Sequence, residues 1–250
     1  MKTKLYFLIF ILCASLGHSQ ESILIVDYTY SIQFKSLPSV TTVNSRLISN
    51  GVLSHYEMDF VGNFNLVEEE AGVNGGSVLN IKSKNNPIIY KDSKTRHIYS
   101  IERVGMKLFL VKDSMNIFNW NIKNEKKDIL GYSCQQATTE YRGRQYTAYF
   151  TTEIPFQTGP WKFYGLPGLI LQVESDDGEF KMIANKINIS KKQVDITNPF
   201  SESKEEPISW NLYTEIYYKK YNELKNYRTP NGGGFSIPKK LIETIISDDN

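Results

Sequence analysis

Apolar and polar residues alternate along residues 26–34, and this period of two predicts a half-buried β-strand. Pro38 ends the strand, and a stretch rich in Ser and Thr follows it. Further apolar segments bounded by turn-forming residues predict strands at 53–60, 78–81, 88–90, 98–104, 107–112 and 117–122. The charged run 123–128 predicts a turn.

The central part of the chain has the most regular pattern. Four apolar segments without a helical pattern between them predict an antiparallel meander, at 129–139, 146–154, 169–174 and 179–189. Two of its turns fall at 142–144 and at 176–178, where Asp177-Gly178 is a strong hairpin signal. The third turn is the Gly- and Pro-containing stretch 159–168.

The C-terminal part of the chain changes to a helical period. Residues 210–226 carry apolar side chains at helical spacing after Ser209, a residue type suited to the N-cap, and 237–246 predicts a second, short helix. The whole pattern predicts a mainly β fold: a curved antiparallel sheet, shaped as a half-barrel or bowl, with one or two C-terminal helices. A two-sheet β-sandwich is the alternative. Because no linker divides the chain, we expect a single domain over residues 20–250.

Residues 1–19 have the organisation of an export signal peptide. Lys2 and Lys4 precede an apolar core over 5–16 that is too short to span a membrane, and cleavage is expected after Ser19. We therefore expect a periplasmic protein, with the outer cell surface or secretion as alternatives. No other apolar run is long enough to cross a bilayer, so no transmembrane span is expected in the mature chain.

Charge and composition narrow the choice of partner. The chain has 29 basic and 27 acidic residues, and two of the basic residues lie in the predicted signal peptide. The mature chain is thus close to neutral, which argues against a nucleic-acid partner. Aromatic residues make up 13% of the chain, and this load suits pleated sheets.

The most distinctive motif lies at 165–170. It consists of Gly165, Leu166, Pro167, Gly168, Leu169 and Ile170. The fixed φ of proline and the positive φ that glycine adopts readily predict a type II turn from Leu166 to Leu169. Leu169 and Ile170 then begin a buried strand.

This motif and those before it resemble the GLPGLI family of exported proteins from the Bacteroidota. The shared motifs are Leu-Gly-Tyr-x-Cys at 130–134, Ala137, Tyr149, Glu-Ile-Pro at 153–155, Gly-Pro at 159–160 and the string at 165–170. The resemblance implies an exported protein but assigns it no reaction. Its fold implications are a likeness to the half-barrel of periplasmic lipoprotein carriers and, more distantly, to a bowl-like domain that precedes certain peptide-N-glycosidases.

Aromatic residues around the motif are candidate ligand contacts. If the loop frames the mouth of a bowl, Trp161, Phe163 and Tyr164 would offer aromatic surface to a ligand, and Tyr149 lies on the preceding strand. The alternative, which we favour, is that the motif is structural, with its turn set by glycine and proline and its leucines in the core.

Glu153 is a candidate ligand-binding residue and the best candidate for a general acid or base, because it lies at the end of a strand. The favoured alternative is an ion pair with Arg142 or Arg144. No catalytic residue is assigned, and neither a metal nor another cofactor is expected, because His55 and His97 have no partner at metal-binding spacing.

Two further residues are of chemical interest. Cys134 is the one cysteine left after the predicted signal peptide, so no intramolecular disulfide is expected, and a buried thiol is favoured over a nucleophile. Ser114 lies in Asp113-Ser114-Met115, which matches the three-residue O-glycosylation pattern of exported Bacteroidota proteins. Ser114 is therefore a candidate modification site.

Three functional hypotheses follow. The preferred one is a non-enzymatic envelope protein that binds or carries an apolar or amphipathic ligand, or a partner protein of the envelope, in the concave face of its sheet. The second is a carboxylate-dependent hydrolase of envelope or extracellular polymers. The third is a structural accessory to an outer-membrane transporter, which would show an apolar surface patch. The sequence leaves the oligomeric state open.

Overall fold

The computed structural model describes residues 22–33, 40–59, 86–191, 194–228, 234, 237–239 and 242–246. The predicted signal peptide and the predicted strand 78–81 lie outside these residues.

The described chain is mainly β, with one helix after the last strand. Its elements are β1 Ile23–Ile32, β2 Thr41–Ser49, β3 Leu53–Met58, β4 Ile88–Asp92, β5 His97–Val104, β6 Lys107–Ser114, β7 Asn121–Ile129, β8 Tyr132–Tyr141, β9 Arg144–Thr151, β10 Leu169–Ser175, β11 Phe180–Ser190, β12 Ile208–Ser209 and α1 Trp210–Asn226. The twelve strands form one sheet in the order β12-β6-β5-β4-β3-β2-β1-β11-β10-β9-β8-β7.

This strand order requires the sheet to curve. β6 and β7 are consecutive in the chain but ten strand positions apart in the sheet. A flat sheet would hold them about 48 Å apart, whereas the six residues 115–120 that join them reach at most about 25 Å. The two ends of the sheet therefore approach each other. The predicted curved antiparallel sheet is confirmed, and the sandwich alternative is wrong.

The predicted meander is confirmed as β8 to β11, paired antiparallel in sequence order. The prediction was wrong just before it. The strand expected at 117–122 is irregular up to Trp120, and the charged run expected to be a turn forms most of β7. β7 is the edge strand, where charged side chains discourage pairing with other chains, so its polarity reflects its position in the sheet.

The inner face of the curved sheet holds the main core. Side chains from strands far apart in the sheet, such as Val26, Tyr56 and Ile98, share one cluster with Phe150 and Leu171. A smaller cluster lies on the outer face, where Ile196 and Phe200 from the segment between β11 and β12 cover Ile23 and Tyr90. The segment thus covers the outer face of the strands around β1 and β4.

Helix α1 has the predicted bounds and the predicted N-cap, because the Ser209 side chain accepts a hydrogen bond from the Leu212 N–H. It buries Tyr213 and Tyr217 against Val104 and Val111. The second predicted helix is wrong, since the described residues within 237–246 are bent and non-helical. In the described part of the chain, no helix has the length and hydropathy needed to cross a membrane.

The turn at 165–170 is tighter than predicted. The Gly168 N–H donates to Leu166 O at 2.8 Å, and Leu169 N–H donates to Ile154 O instead of closing a type II turn. A Cβ on Gly168 would lie 2.0 Å from Thr151 O. Glycine is therefore needed there for the close approach of two backbone segments, and the buried strand predicted after it is confirmed as β10.

We expect Gly168→Ala to destabilise the fold by more than about 3 kcal/mol, because the added methyl group overlaps a backbone oxygen that cannot move independently. Chemical denaturation followed by tryptophan fluorescence measures this. The matched control is Gly178→Ala, at a turn glycine with φ +76° and open space around the added Cβ. It should cost about 1 kcal/mol. Equal effects of the two substitutions would contradict the steric explanation.

Candidate functional site

The loop between β9 and β10 fills the inner face of the sheet. Trp161, Phe163 and Leu166 are at most 4% exposed and belong to the main core. The Phe163 ring lies 5.0 Å from that of Tyr146 and 5.2 Å from that of Phe118, measured between centroids. The irregular segment 115–120 thus packs onto the loop from the other end of the sheet. The loop occupies the space that a bowl would offer to a ligand.

A single lysine holds this loop from the opposite wall. Lys91 lies on β4 with its side chain buried, and its ammonium donates to Gly159 O at 2.6 Å, Trp161 O at 3.0 Å and Phe163 O at 3.1 Å. An ammonium group has three hydrogens, so these carbonyls satisfy it completely. Burial nevertheless lowers the pKa of Lys91 to about 7. The interaction joins β4 to backbone about 70 residues later.

A second buried lysine is the centre of an ion cluster. This ion cluster consists of Lys162, Arg142, Glu102, Asp113 and Glu243. The Lys162 ammonium lies 2.9 Å from Glu102 Oε1 on β5 and 2.8 Å from Glu243 Oε2 near the C-terminus. The Tyr141 hydroxyl also donates to Glu243, at 2.8 Å. The cluster therefore ties the loop to β5, β8 and the C-terminal segment.

Arg142 extends the ion cluster across the gap between the sheet ends. Its guanidinium binds Glu243 and, at 2.7 Å, Asp113 on β6, and it lies 3.4 Å from the centroid of the Trp210 ring. The residue has φ +46° in the tight turn between β8 and β9, a conformation that costs a non-glycine residue roughly 1–2 kcal/mol. These contacts of the side chain offset that cost.

The electrostatic balance of the ion cluster favours its charged state. Burial acts to lower the pKa of Lys162, but the carboxylates of Glu102 and Glu243 outweigh it, and the net direction is upward. Burial likewise acts to raise the pKa of Glu243, but Lys162, Arg142 and the hydrogen bonds it accepts bring it below its ordinary value. The ion cluster therefore holds interior segments together, and its carboxylates and ammonium group are engaged in ion pairs.

The aromatic residues predicted from the sequence as ligand contacts have different environments. Trp161 and Phe163 are 4% and 1% exposed, so in this conformation both rings belong to the core. Tyr164 is half-buried, its carbonyl accepts a hydrogen bond from Trp120 Nε1 at 2.8 Å, and burial raises the pKa of its hydroxyl to about 12. A ligand role for these three residues stays a prediction.

Glu153 is exposed at the end of β9, and its carboxylate accepts a hydrogen bond from the Ser133 N–H at 3.1 Å. The arginines expected to pair with it bind other carboxylates: Arg142 binds Asp113 and Glu243, and Arg144 binds Asp177 and Glu179. The structure therefore places Glu153 at the surface, joining β8 to the end of β9.

Tyr149 lies on the outer face of the sheet and is half-exposed. The Lys127 ammonium lies 3.6 Å from the centroid of its ring and donates to Gln172 Oε1 at 2.8 Å. Gln172 Nε2 then donates to Glu174 Oε2 at 2.8 Å. We call Lys127, Tyr149, Gln172 and Glu174 the outer polar group. It is separated from the buried loop by the sheet itself.

Cys134 lies buried, as predicted, and burial raises the pKa of its thiol to about 11, so the reactive thiolate is disfavoured. Ser114 is exposed at the end of β6. Its neighbour Asp113 is buried and bound to Arg142, so the carboxylate of the predicted glycosylation pattern already has a structural partner. Modification of Ser114 stays a prediction.

The buried charged residues Lys91, Lys162 and Glu243, which organise the interior, were not predicted from the sequence. A usable signal was present, because each lies among apolar or aromatic neighbours: Lys91 after Ile88-Ile89-Tyr90, Lys162 between Trp161 and Phe163, and Glu243 beside Leu241 and Ile242. A charged residue within an apolar segment is rarely buried without a partner. The pairing itself depends on contacts up to 102 residues apart, which no local pattern contains.

Comparison with known proteins agrees with this architecture. The family described as "N-glycanase peptide, N-terminal domain" matches residues 106–208, from the hairpin between β5 and β6 to β12. Two crystal forms of PNGF-II are similar in structure, each with a TM-score of 0.50, 14% identity and 80% of this chain covered. The chain spans about a third of their length, 33% and 34%. At this identity the likeness shows the fold alone, and no curated protein sequence matches the chain.

We expect Lys91→Met to lower the free energy of unfolding by about 2–4 kcal/mol at neutral pH, because three buried carbonyls lose their donor. The loss should grow between pH 7 and about pH 9, since the folded chain releases a proton that the unfolded chain, with the ordinary lysine pKa of 10.5, still binds. Urea denaturation of both proteins across this range measures the difference. Lys94→Met, at an exposed turn lysine, is the control and should change little. If the difference in free energy of unfolding between the wild-type chain and Lys91→Met became smaller with rising pH, the lowered pKa of Lys91 would be contradicted.

We expect Glu243→Gln to lower the free energy of unfolding by about 3–5 kcal/mol at pH 7, because it leaves Lys162 and Arg142 buried with fewer partners. The pKa of Glu243 lies below its ordinary value of 4.5, so its contribution is complete above that pH and is lost as pH falls further. The difference between the wild-type chain and the variant should therefore shrink on acidification. Urea denaturation at a series of acidic pH values tests this. Glu223→Gln on the exposed side of α1 should show no such trend.

Proposed function

We propose that the chain is a non-enzymatic, exported binding module that recognises a glycosylated protein partner on the outer face of its sheet. The observation that carries this proposal is the filled inner face. Lys91 and the ion cluster hold the β9–β10 loop where a small ligand would otherwise sit. A ligand inside the bowl would have to displace this loop, at the cost of buried ion pairs and core contacts, whereas the outer face is free of that constraint.

The outer polar group has suitable chemistry for carbohydrate. Tyr149 supplies an aromatic ring, Gln172 an amide and Glu174 a carboxylate, so the group combines an apolar face with donors and acceptors for hydroxyl groups. Lys127 now lies over the ring, and both residues are partly buried. Moving the ammonium aside gives up a cation–π contact worth roughly 1–2 kcal/mol. Its hydrogen bond to Gln172 shows that the ammonium also reaches the polar edge of the group.

The comparisons support this choice of partner. The matching family is described as an N-terminal domain of an N-glycanase peptide, and the similar structures are about three times longer than the matched region. We infer that this chain corresponds to a part of such proteins that contributes binding, and that an N-glycosylated protein is the partner class to test first. Export is proposed from the predicted signal peptide over residues 1–19.

The hydrolase hypothesis receives less support from the geometry. Its best candidate, Glu153, is exposed and accepts a backbone N–H. The buried carboxylates of Glu102, Asp113 and Glu243 are each bound to a lysine or an arginine. Groups held in this way are poorly placed to exchange protons with a substrate.

We expect the chain to bind ribonuclease B, which carries an N-glycan, more tightly than ribonuclease A, the same polypeptide without the glycan. Tyr149→Ala should weaken binding to ribonuclease B about tenfold or more, because the aromatic ring supplies most of the apolar contact area. Biolayer interferometry measures both affinities. Mass spectrometry of ribonuclease B after prolonged incubation should show the glycan intact.

The control variant is Tyr218→Ala, which removes a tyrosine that is 45% exposed on α1 and should leave binding unchanged. Equal affinity for the two ribonucleases, or full binding by Tyr149→Ala, would overturn the outer-face proposal. Release of the glycan would show an enzyme and support the hydrolase hypothesis instead.

A further inference from the structure

The hairpin between β5 and β6 exposes three aliphatic side chains. Met106 in the turn is 76% exposed, Leu108 is 47% exposed and Ile101 is 37% exposed. Ile101 is paired with Leu110 and Arg103 with Leu108, so Ile101 and Leu108 point to the same outer face and lie diagonally across the two strands. We call these two side chains, together with Met106 in the turn, the hairpin patch.

Cations lie on both faces of the hairpin. Arg103 lies directly across from Leu108 on the outer face. Lys107 lies on the opposite face, which packs against α1, and its ammonium is 4.8 Å from the centroid of the Phe109 ring. Lys220 of α1 approaches the turn on that same face and binds Glu223 at 3.2 Å. The hairpin therefore presents aliphatic groups at its turn and outer face, with Arg103 beside them and Lys107 next to the turn.

We propose that the hairpin patch binds the surface of an anionic lipid bilayer. Aliphatic side chains at a protruding tip enter the boundary between headgroups and acyl chains, and cations beside them bind anionic headgroups. Protein interfaces are enriched in aromatic residues, whereas the exposed apolar side chains of this patch are aliphatic and include a residue of the hairpin turn. The patch belongs to β5 and β6 and shares no residue with the outer polar group. This proposal is therefore independent of the glycoprotein proposal.

The test is co-sedimentation of the chain from Gln20 onward, without the predicted signal peptide, whose apolar core would itself bind lipid. We expect sedimentation with phosphatidylcholine vesicles that contain about 30% phosphatidylglycerol, and roughly 25-fold or more weaker binding to pure phosphatidylcholine. Met106→Ser with Leu108→Ser should weaken binding to the anionic vesicles about tenfold or more. Arg103→Gln with Lys107→Gln should weaken it about 25-fold, which is roughly fivefold per cation. Raising the salt concentration should weaken binding of the wild-type chain.

The control combines Val52→Ser with Leu130→Ser, two side chains in other turns that are 48% and 47% exposed, matched to Leu108. It should bind vesicles like the wild-type chain, and thermal denaturation checks that every variant is folded. No sedimentation of the wild-type chain, equal binding to both kinds of vesicle, or full binding by Met106→Ser with Leu108→Ser would each overturn the proposal. If the chain then bound a protein of the envelope and lost that binding in Met106→Ser with Leu108→Ser, the result would support the transporter-accessory hypothesis instead.

Discussion

Two buried lysines hold the two halves of this curved sheet together. The sheet is open: its ends approach each other but do not pair. Lys91 on β4 holds three carbonyls of the β9–β10 loop, and Lys162 of the same loop binds carboxylates from β5 and the C-terminal segment. Because the last strands on each side do not share backbone hydrogen bonds, side chains and the loop must bridge the gap. Most of the inner core depends on that loop staying in place.

The parts of the sheet are joined by buried ion pairs, and this has consequences that joining them by strand pairing would not have. A buried ion pair adds little stability over a well-packed apolar pair, but removing one partner is costly, so the network favours one arrangement over others. Here the same network selects the position of several segments at once, because Glu243 is shared by Lys162, Arg142 and Tyr141. Arg142 shares the two-residue turn between β8 and β9 with Gly143, and both have positive φ. From this turn its guanidinium contacts Asp113 and Trp210.

Because the interior is filled, the residues that stabilise the fold differ from those proposed for recognition. Trp161 and Phe163, candidate ligand contacts in the sequence, are core side chains in this conformation, while Tyr149 faces outward beside polar groups. The surface offers two chemically different regions, the polar and aromatic outer face of the meander and the aliphatic, basic tip of the β5–β6 hairpin. Taken together, the two proposals describe a protein that binds a glycosylated partner at the outer polar group and an anionic membrane at the hairpin patch.

Elements whose signals are local could be predicted from the amino-acid sequence. Alternation located β1 and the meander, helical spacing and Ser209 located α1, and the burial of Cys134 followed from its place in a strand. The prediction was wrong for β7, because a charged segment can be recognised as an edge strand only when its neighbouring strand and its place in the sheet are known. The ion cluster and the position of the loop could not be predicted in this way. Those contacts join residues far apart in the chain, and the free energy of burying a charge depends on which partner the fold brings to it.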